Sequence, residues 1–333
     1  MSQPALRSIA GLLLLVACAG DPTQPGSEPP AGAQELADEL AFVGSGILSS
    51  VIDEKARLRT VEFALVSAAA RYCGSLNRPR LGAFVGGGAS IEKEWLRTAA
   101  QRDHAIEGNL SVLHVVPGGP SHRAGLKRGD EILSFHDIAP KSRPELLTYL
   151  NATPELSIAR VRIRRDGADR DVEIEMARVC PVLFELGAGP GITPWQHGKL
   201  TVVVPRGLLQ YAEGDDDVLA IALGHQLAHV LFDRDPLDDL FAERRADRMG
   251  AVITANAGFQ VSGMVGYWED AARWYPWLIT PERGRPAWTN NDYGRFRYLA
   301  RRYQHQDIAR RMQGMRDVVA DIERQQAAAA HPK

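Results

Sequence analysis

Over residues 34–72 apolar positions recur at three- and four-residue steps, with Leu58, Val61, Leu65, Ala68 and Tyr72 on one face. That spacing predicts a long amphipathic helix. Over residues 80–178 the texture changes to short strands and turns. Residues 111–116 are a β-branched run, and residues 158–164 alternate apolar with polar. Asp166-Gly167 then separates the alternating run from a second one at residues 172–176, which predicts a hairpin. Residues 200–204 look strand-like and lead into helical patterning that dominates to about Gln325. Val218, Leu219, Ala222, Leu223, Leu227 and Val230 fall on one such helix, opened by Asp215-Asp216-Asp217, acidic residues that suit a helix N-terminus. The Ala-rich end, residues 327–333, predicts a frayed tail. At the other end Arg7 precedes an apolar run over residues 9–17. That run is about half the roughly 20 residues a membrane-spanning helix needs, so it reads as a cleaved signal. Residues 19–32, rich in Pro, Gly and small polar residues, read as a flexible tether.

Composition narrows the class. The 333 residues are 45% hydrophobic and 24% charged, which excludes a collagen-like, coiled-coil or wholly disordered chain. At roughly 150 residues per domain, two domains are expected. With 39 basic and 41 acidic side chains the net charge is −2, so there is no basic footprint and nucleic acid is not an expected partner. The three cysteines are too few for a disulfide framework, and the odd count needs an explanation.

Leu15-Val16-Ala17-Cys18 supplies one, because it resembles the lipobox of bacterial lipoprotein signal peptides. The resemblance implies cleavage before Cys18, diacylglycerol on its thiol and a chain held on a bilayer of the cell envelope. Ala19, in place of Asp after the cysteine, points within that class to the outer membrane, facing the periplasm. A plain secretory signal that contains Cys18 is the other reading. In an exported chain Cys73 and Cys180 sit where a disulfide can persist, and the alternative is two separate buried thiols.

Residues 120–133, Pro-Ser-His-Arg-Ala-Gly-Leu-Lys-Arg-Gly-Asp-Glu-Ile-Leu, resemble the Ala-Gly-Leu-x-x-Gly-Asp-x-Ile-Leu run of PDZ domains. The resemblance makes residues 142–150 the helix beside a peptide groove, and Leu81-Gly82-Ala83-Phe84 its carboxylate-binding loop. PDZ domains bind extended or C-terminal peptides by adding a strand to a sheet edge.

His225 and His229 stand four residues apart, on one face of a helix, as two ligands of one metal require. On a second helical pattern beyond them comes Glu243-Arg244-Arg245-Ala246-Asp247. Together these resemble gluzincin metallopeptidases, the family of HtpX-type peptidases, CAAX prenyl proteases and BepA-like periplasmic peptidases. The resemblance implies a zinc site with His225, His229 and Glu243 as ligands and Asp247 orienting a ligand histidine. The chain departs from the family first at the general base: the family's His-Glu-x-x-His reads His225-Gln226-Leu227-Ala228-His229 here, with Gln226 at that place. An amide cannot shuttle protons, and losing a general base typically costs about 10²- to 10⁴-fold. Thr193-Pro194-Trp195-Gln196-His197-Gly198 stands in for the family's substrate-pairing Asn-Ala-x-x-x-Gly strand, with Pro194 lacking an N–H. Thr289-Asn290-Asn291 replaces Thr-His-Pro.

The remaining features predict no chemistry. Trp268, Trp274 and Trp277 near Tyr267 and Tyr275 read as core. Arg295, Arg297, Arg301 and Arg302 read as a solvated face, and His114 and His197 belong to no ligand motif.

The expected fold is therefore α+β: a mostly helical zincin-like metallopeptidase domain with a small sheet, interrupted by a PDZ-type β-rich domain. The expected layout is a signal at 1–17, a tether at 18–33, peptidase-like helices at 34–79, PDZ at 80–179, peptidase-like domain at 180–326 and a disordered tail at 327–333. The expected function is a membrane-anchored, zinc-binding, peptide-binding protein of the periplasm with impaired proteolysis. An active zinc-dependent endopeptidase and a scaffold lipoprotein with a vestigial cleft are the alternatives.

Overall fold

The computed structural model describes residues 33–87, 94–104, 106, 110–232, 239–274 and 308–330. The Cys18 segment, Tyr275, Trp277, Thr289-Asn290-Asn291 and the arginines at 295–302 lie outside the described residues.

Helix α1 (Ala33–Ala68) leads into the short α2 (Ala70–Cys73) and strand β1 (Arg78–Arg80). Next come β2 (Ala83–Gly86), α3 (Glu94–His104), β3 (Ser111–Val115), α4 (Pro120–Arg123), β4 (Glu131–Phe135), α5 (Arg143–Ala152), β5 (Ile158–Arg165) and β6 (Ala168–Glu175). These strands make one antiparallel sheet in the order β2-β3-β4-β5-β6. Strand β7 (Ala177–Val179) then runs back along β1, with Arg78 opposite Val179 and Arg80 opposite Ala177. The chain continues through β8 (Leu183–Gly187), β9 (Trp195–His197) and β10 (Thr201–Pro205), a three-stranded sheet in which β10 is parallel to β8 and antiparallel to β9. It ends in α6 (Arg206–Tyr211), α7 (Asp216–Phe232), α8 (Asp239–Asn256), α9 (Met264–Trp274) and α10 (Ile308–Ala330). The fold is mixed α+β, mostly helical with an antiparallel β-rich region.

Local chemistry explains the boundaries. The Asp215 carboxylate accepts from the N–H groups of Asp217 at 3.0 Å and Val218 at 3.2 Å, capping α7. Ser142 caps α5 in the same way, accepting from Glu145 N at 3.4 Å. At the β5–β6 turn Asp166 and Gly167 take φ of 53° and 75°, the left-handed pair a two-residue hairpin of this twist requires.

Two cores result. One lies inside the five-stranded sheet and α5, where Val112, Phe135, Leu146, Val161, Ile163 and Ile174 are buried. The other joins α1 to everything after β7: Leu58, Val61 and Leu65 pack with Phe184, Val202, Leu219 and Leu223. Cys73 and Cys180 form a disulfide in this second core, with Cα atoms 5.6 Å apart, at the foot of the β1–β7 ribbon.

Three elements differ from the sequence expectation. Helix α3 stands within a stretch expected to be strands and turns. Among its described side chains Ala99, Ala100 and His104 are buried, with Ala100 packed against Ile52 and Ile106, and small or polar residues of this kind leave no apolar stripe to read. Strand β8 was not foreseen, because its burial is set by parallel pairing to β10 rather than by alternation. Helix α10 extends to Ala330, into the Ala-rich stretch expected as a tail from residue 327. Alanine has the highest intrinsic helix propensity, so the Ala-rich run prolongs the helix. Among the described residues no helix is long and apolar enough to cross a membrane.

Candidate functional site

Helices α7 and α8 meet at two glycines. A Cβ on Gly250 would lie 2.7 Å from His225 Cα, and one on Gly224 would lie 2.3 Å from Thr254 Oγ1. With no side chain on either side the backbones touch, and Thr254 Oγ1 donates to Ala220 O at 3.2 Å across the contact. This close crossing places the i,i+4 pair of α7 opposite the i,i+4 pair of α8.

His225 and His229 direct their Nε2 atoms to within 2.9 Å of each other. Glu243 Oε2 lies 3.5 Å from His225 Nε2, and Glu243 Oε1 lies 3.5 Å from His229 Nε2. The three residues form a cluster whose ligand atoms all fall within 4.8 Å of one another. Zinc bonds of about 2.0–2.1 Å at tetrahedral angles separate neighbouring ligand atoms by about 3.3 Å, and these distances bracket that value. On the outer side Asp247, itself buried, holds Oδ1 3.0 Å from His225 Nδ1. A carboxylate there keeps the proton on Nδ1 and turns the Nε2 lone pair toward the cluster. The four residues fit a zinc ion, which as a Lewis acid would polarise a carbonyl. Gln226 follows His225 on α7 and is half-buried.

Sequence reasoning missed two contributors. Trp268, read as core, is buried, but its ring is also 4.6 Å from that of His225 and so forms a wall of the cluster. Beyond it Tyr267 donates to Ile192 O at 3.0 Å, and Tyr211 donates to Asp270 at 2.7 Å. Burial, with that acceptor second, pushes the Tyr211 phenol up to about 12. The glycine pair was the second omission, and its only sequence trace is two glycines on facing helices. Strand β9 is an edge strand of its sheet and packs near α7; Pro194 is buried immediately before it, and Trp195 is partly exposed.

The other expected site lies in the inserted sheet. Leu81-Gly82-Ala83-Phe84 enters β2, the terminal strand of the five, across a cleft from Leu146, Leu147 and Leu150 of α5. Gly82 has φ of 65°, and a Cβ there would stand 2.8 Å from Pro120 Cδ, so glycine is required. Helix α1 closes the remaining side with Arg59, Glu62, Phe63 and Val66. Glu62 is buried, pairs with Arg59 and accepts from Phe184 N at 3.3 Å. The cationic groups of Lys55 and Arg59 each stand 5.8 Å from the centre of the Phe84 ring. Burial lowers the pKa of Arg80 and of Arg143, with Glu62 opposing the shift in each case. His114, given no role from sequence, has its Nε2 2.9 Å from Thr60 Oγ1 of α1 and is lowered first by burial, then by Arg128.

Comparison with known proteins reaches part of this architecture. Residues 96–176 match the PDZ domain family model. Over 90 residues the chain is 30% identical to a Ralstonia nicotianae protein named "putative zinc metalloprotease", covering 25% of this chain and 19% of that protein. Over 78 residues it is 31% identical to a Halomonas elongata "probable periplasmic serine endoprotease", DegP-like, covering 23% of this chain and 16% of that one. The chain thus spans less than a fifth of either relative. Their names specify different catalytic chemistries, so the two likenesses share no single reaction. Residues 96–176 are a PDZ domain, a peptide-binding module, in a chain with a distant likeness to zinc metalloproteases.

Proposed function

We infer that this protein is a zinc-holding, peptide-binding member of the gluzincin fold whose capacity for hydrolysis is crippled at one position. The observation that supports it is the convergence of His225, His229 and Glu243, backed by Asp247, beside a glutamine where the reaction needs a proton carrier. In a working peptidase of this type a carboxylate takes a proton from the attacking water and returns it to the leaving amine. Gln226 can orient a water through its amide but has no proton to exchange. His225, His229 and Glu243 would hold a zinc ion that braces the cleft and would polarise a carbonyl, while the PDZ groove supplies peptide affinity. On this reading the lipobox-like segment anchors the chain through Cys18 in the bacterial envelope, at the outer membrane facing the periplasm, where unfolded or C-terminal protein segments are the ligands.

The test is metal analysis paired with proteolysis of a denatured protein. The wild type should hold zinc without turnover, and Gln226→Glu should gain zinc-dependent cleavage. Cleavage by the wild type that His225→Ala abolishes would refute the reading and establish an active endopeptidase. Absence of zinc from protein purified under metal-replete conditions would favour a scaffold instead.

A further inference from the structure

The groove beside β2 is unusually basic for an apolar slot. Three guanidinium groups, those of Arg59, Arg80 and Arg143, line it against one carboxylate, Glu62. Glu62 is already engaged by Arg59 and by the Phe184 N–H. Arg59 Nε is buried with no hydrogen-bond partner, and the Arg143 side chain makes no hydrogen bond or ion pair among the described residues. The cleft is open at its mouth, with a cavity volume of about 80 Å³. Among the described residues strand β2 pairs with β3 alone, and its other edge borders this space.

We propose that this composite cleft takes the C-terminal end of an extended peptide that carries an acidic side chain beside its terminal carboxylate, with Arg59, Arg80 and Arg143 as counter-charges. The proposal deepens, and rests on, the reading of the groove as peptide-binding. A neutral C-terminus brings one negative charge to a wall with an excess of two positive ones. A second carboxylate completes the match and gives the partly desolvated guanidinium groups the charge-assisted partners that Glu62 cannot supply to all three. Arg59 belongs to α1, outside residues 96–176, so acid selectivity is a property of the whole chain rather than of the PDZ domain.

The experiment uses the full-length chain and fluorescent peptides with a free C-terminus. A neutral parent is compared with versions bearing Glu at each of the last three positions, by anisotropy at low salt and at about 0.5 M salt. At least one acidic version should bind about tenfold tighter than the parent, and salt should erase the difference. Arg143→Gln and Arg59→Gln should each weaken the acidic peptide severalfold more than the neutral one. Arg160→Gln, on the exposed face of β5, should alter neither. Thermal melts verify folding, and Arg80→Gln provides an independent variant if one of the others unfolds. Equal binding of acidic and neutral peptides overturns the proposal and leaves peptide binding standing. Failure of every free-acid peptide to bind at about 1 mM overturns both.

Discussion

Replacing Gly250 by Ala tests whether the helix crossing builds the metal cluster. The new Cβ would stand 2.7 Å from His225 Cα and 2.8 Å from His225 N, whereas ordinary contact begins at 3.4 Å. Both neighbours are backbone, so no rotamer change relieves the clash, and the helices must part by about 0.7 Å. Such overpacking costs about 1–3 kcal/mol, while exchanging Gly for Ala inside a helix returns about 1 kcal/mol. Gly46→Ala on α1 isolates the second term, because nothing lies within 4 Å of its new Cβ. In urea titrations of chelator-treated protein, Gly46→Ala should stabilise, and Gly250→Ala should fall about 1–3 kcal/mol below it. The separation opens directly between His225 and its 3.0 Å partner Asp247, so zinc affinity should drop about tenfold or more in competition with a fluorescent chelator. Equal stabilities for the two variants with unchanged zinc affinity would refute the reasoning.

Two further outcomes follow from contacts at the base and side of the insert. Reduction, or Cys73→Ser with Cys180→Ser, opens a link of sequence separation 107 and should cost about 4–5 kcal/mol in the chain-entropy model; an unchanged urea midpoint would contradict it. Burial holds the folded pKa of His114 below the ordinary histidine value of about 6.5, with Arg128 reinforcing and Asp53 opposing. Its contribution is therefore complete above that value and is lost as pH falls through it toward the folded pKa. His114→Gln should flatten the loss of stability between about pH 7.5 and 5, and an identical slope in the variant would exclude His114 as its source.

What could be read from the sequence was whatever depends on short spacing. The pairs His225/His229 and Glu243/Asp247 are each one helical turn apart, so their faces follow from local geometry before any packing is known. The Asp215 cap and the Asp166-Gly167 turn are equally local. Long-range placement was not legible. Gly224 and Gly250 acquire meaning only when α7 lies on α8, and Trp268 reaches His225 only through the fold of α9. Arg59 and Glu62 are ordinary positions of a helix pattern until α1 is laid across the PDZ groove. Helix α3 escaped because its buried side chains, among those described, are two alanines and a histidine.

The split core sets an order of assembly. During synthesis α1 appears early, yet Phe184, Val202 and Leu219, which bury its apolar face, all lie beyond the insert. The PDZ residues are contiguous and can close their own core while the ribosome is still occupied with the rest. At roughly 10 residues per second, the 107 positions separating Cys73 from Cys180 leave α1 waiting for about ten seconds with Leu58, Val61 and Leu65 uncovered. Nascent α1 is thus a segment that a holdase would protect, and aggregation during expression should track the length of that delay.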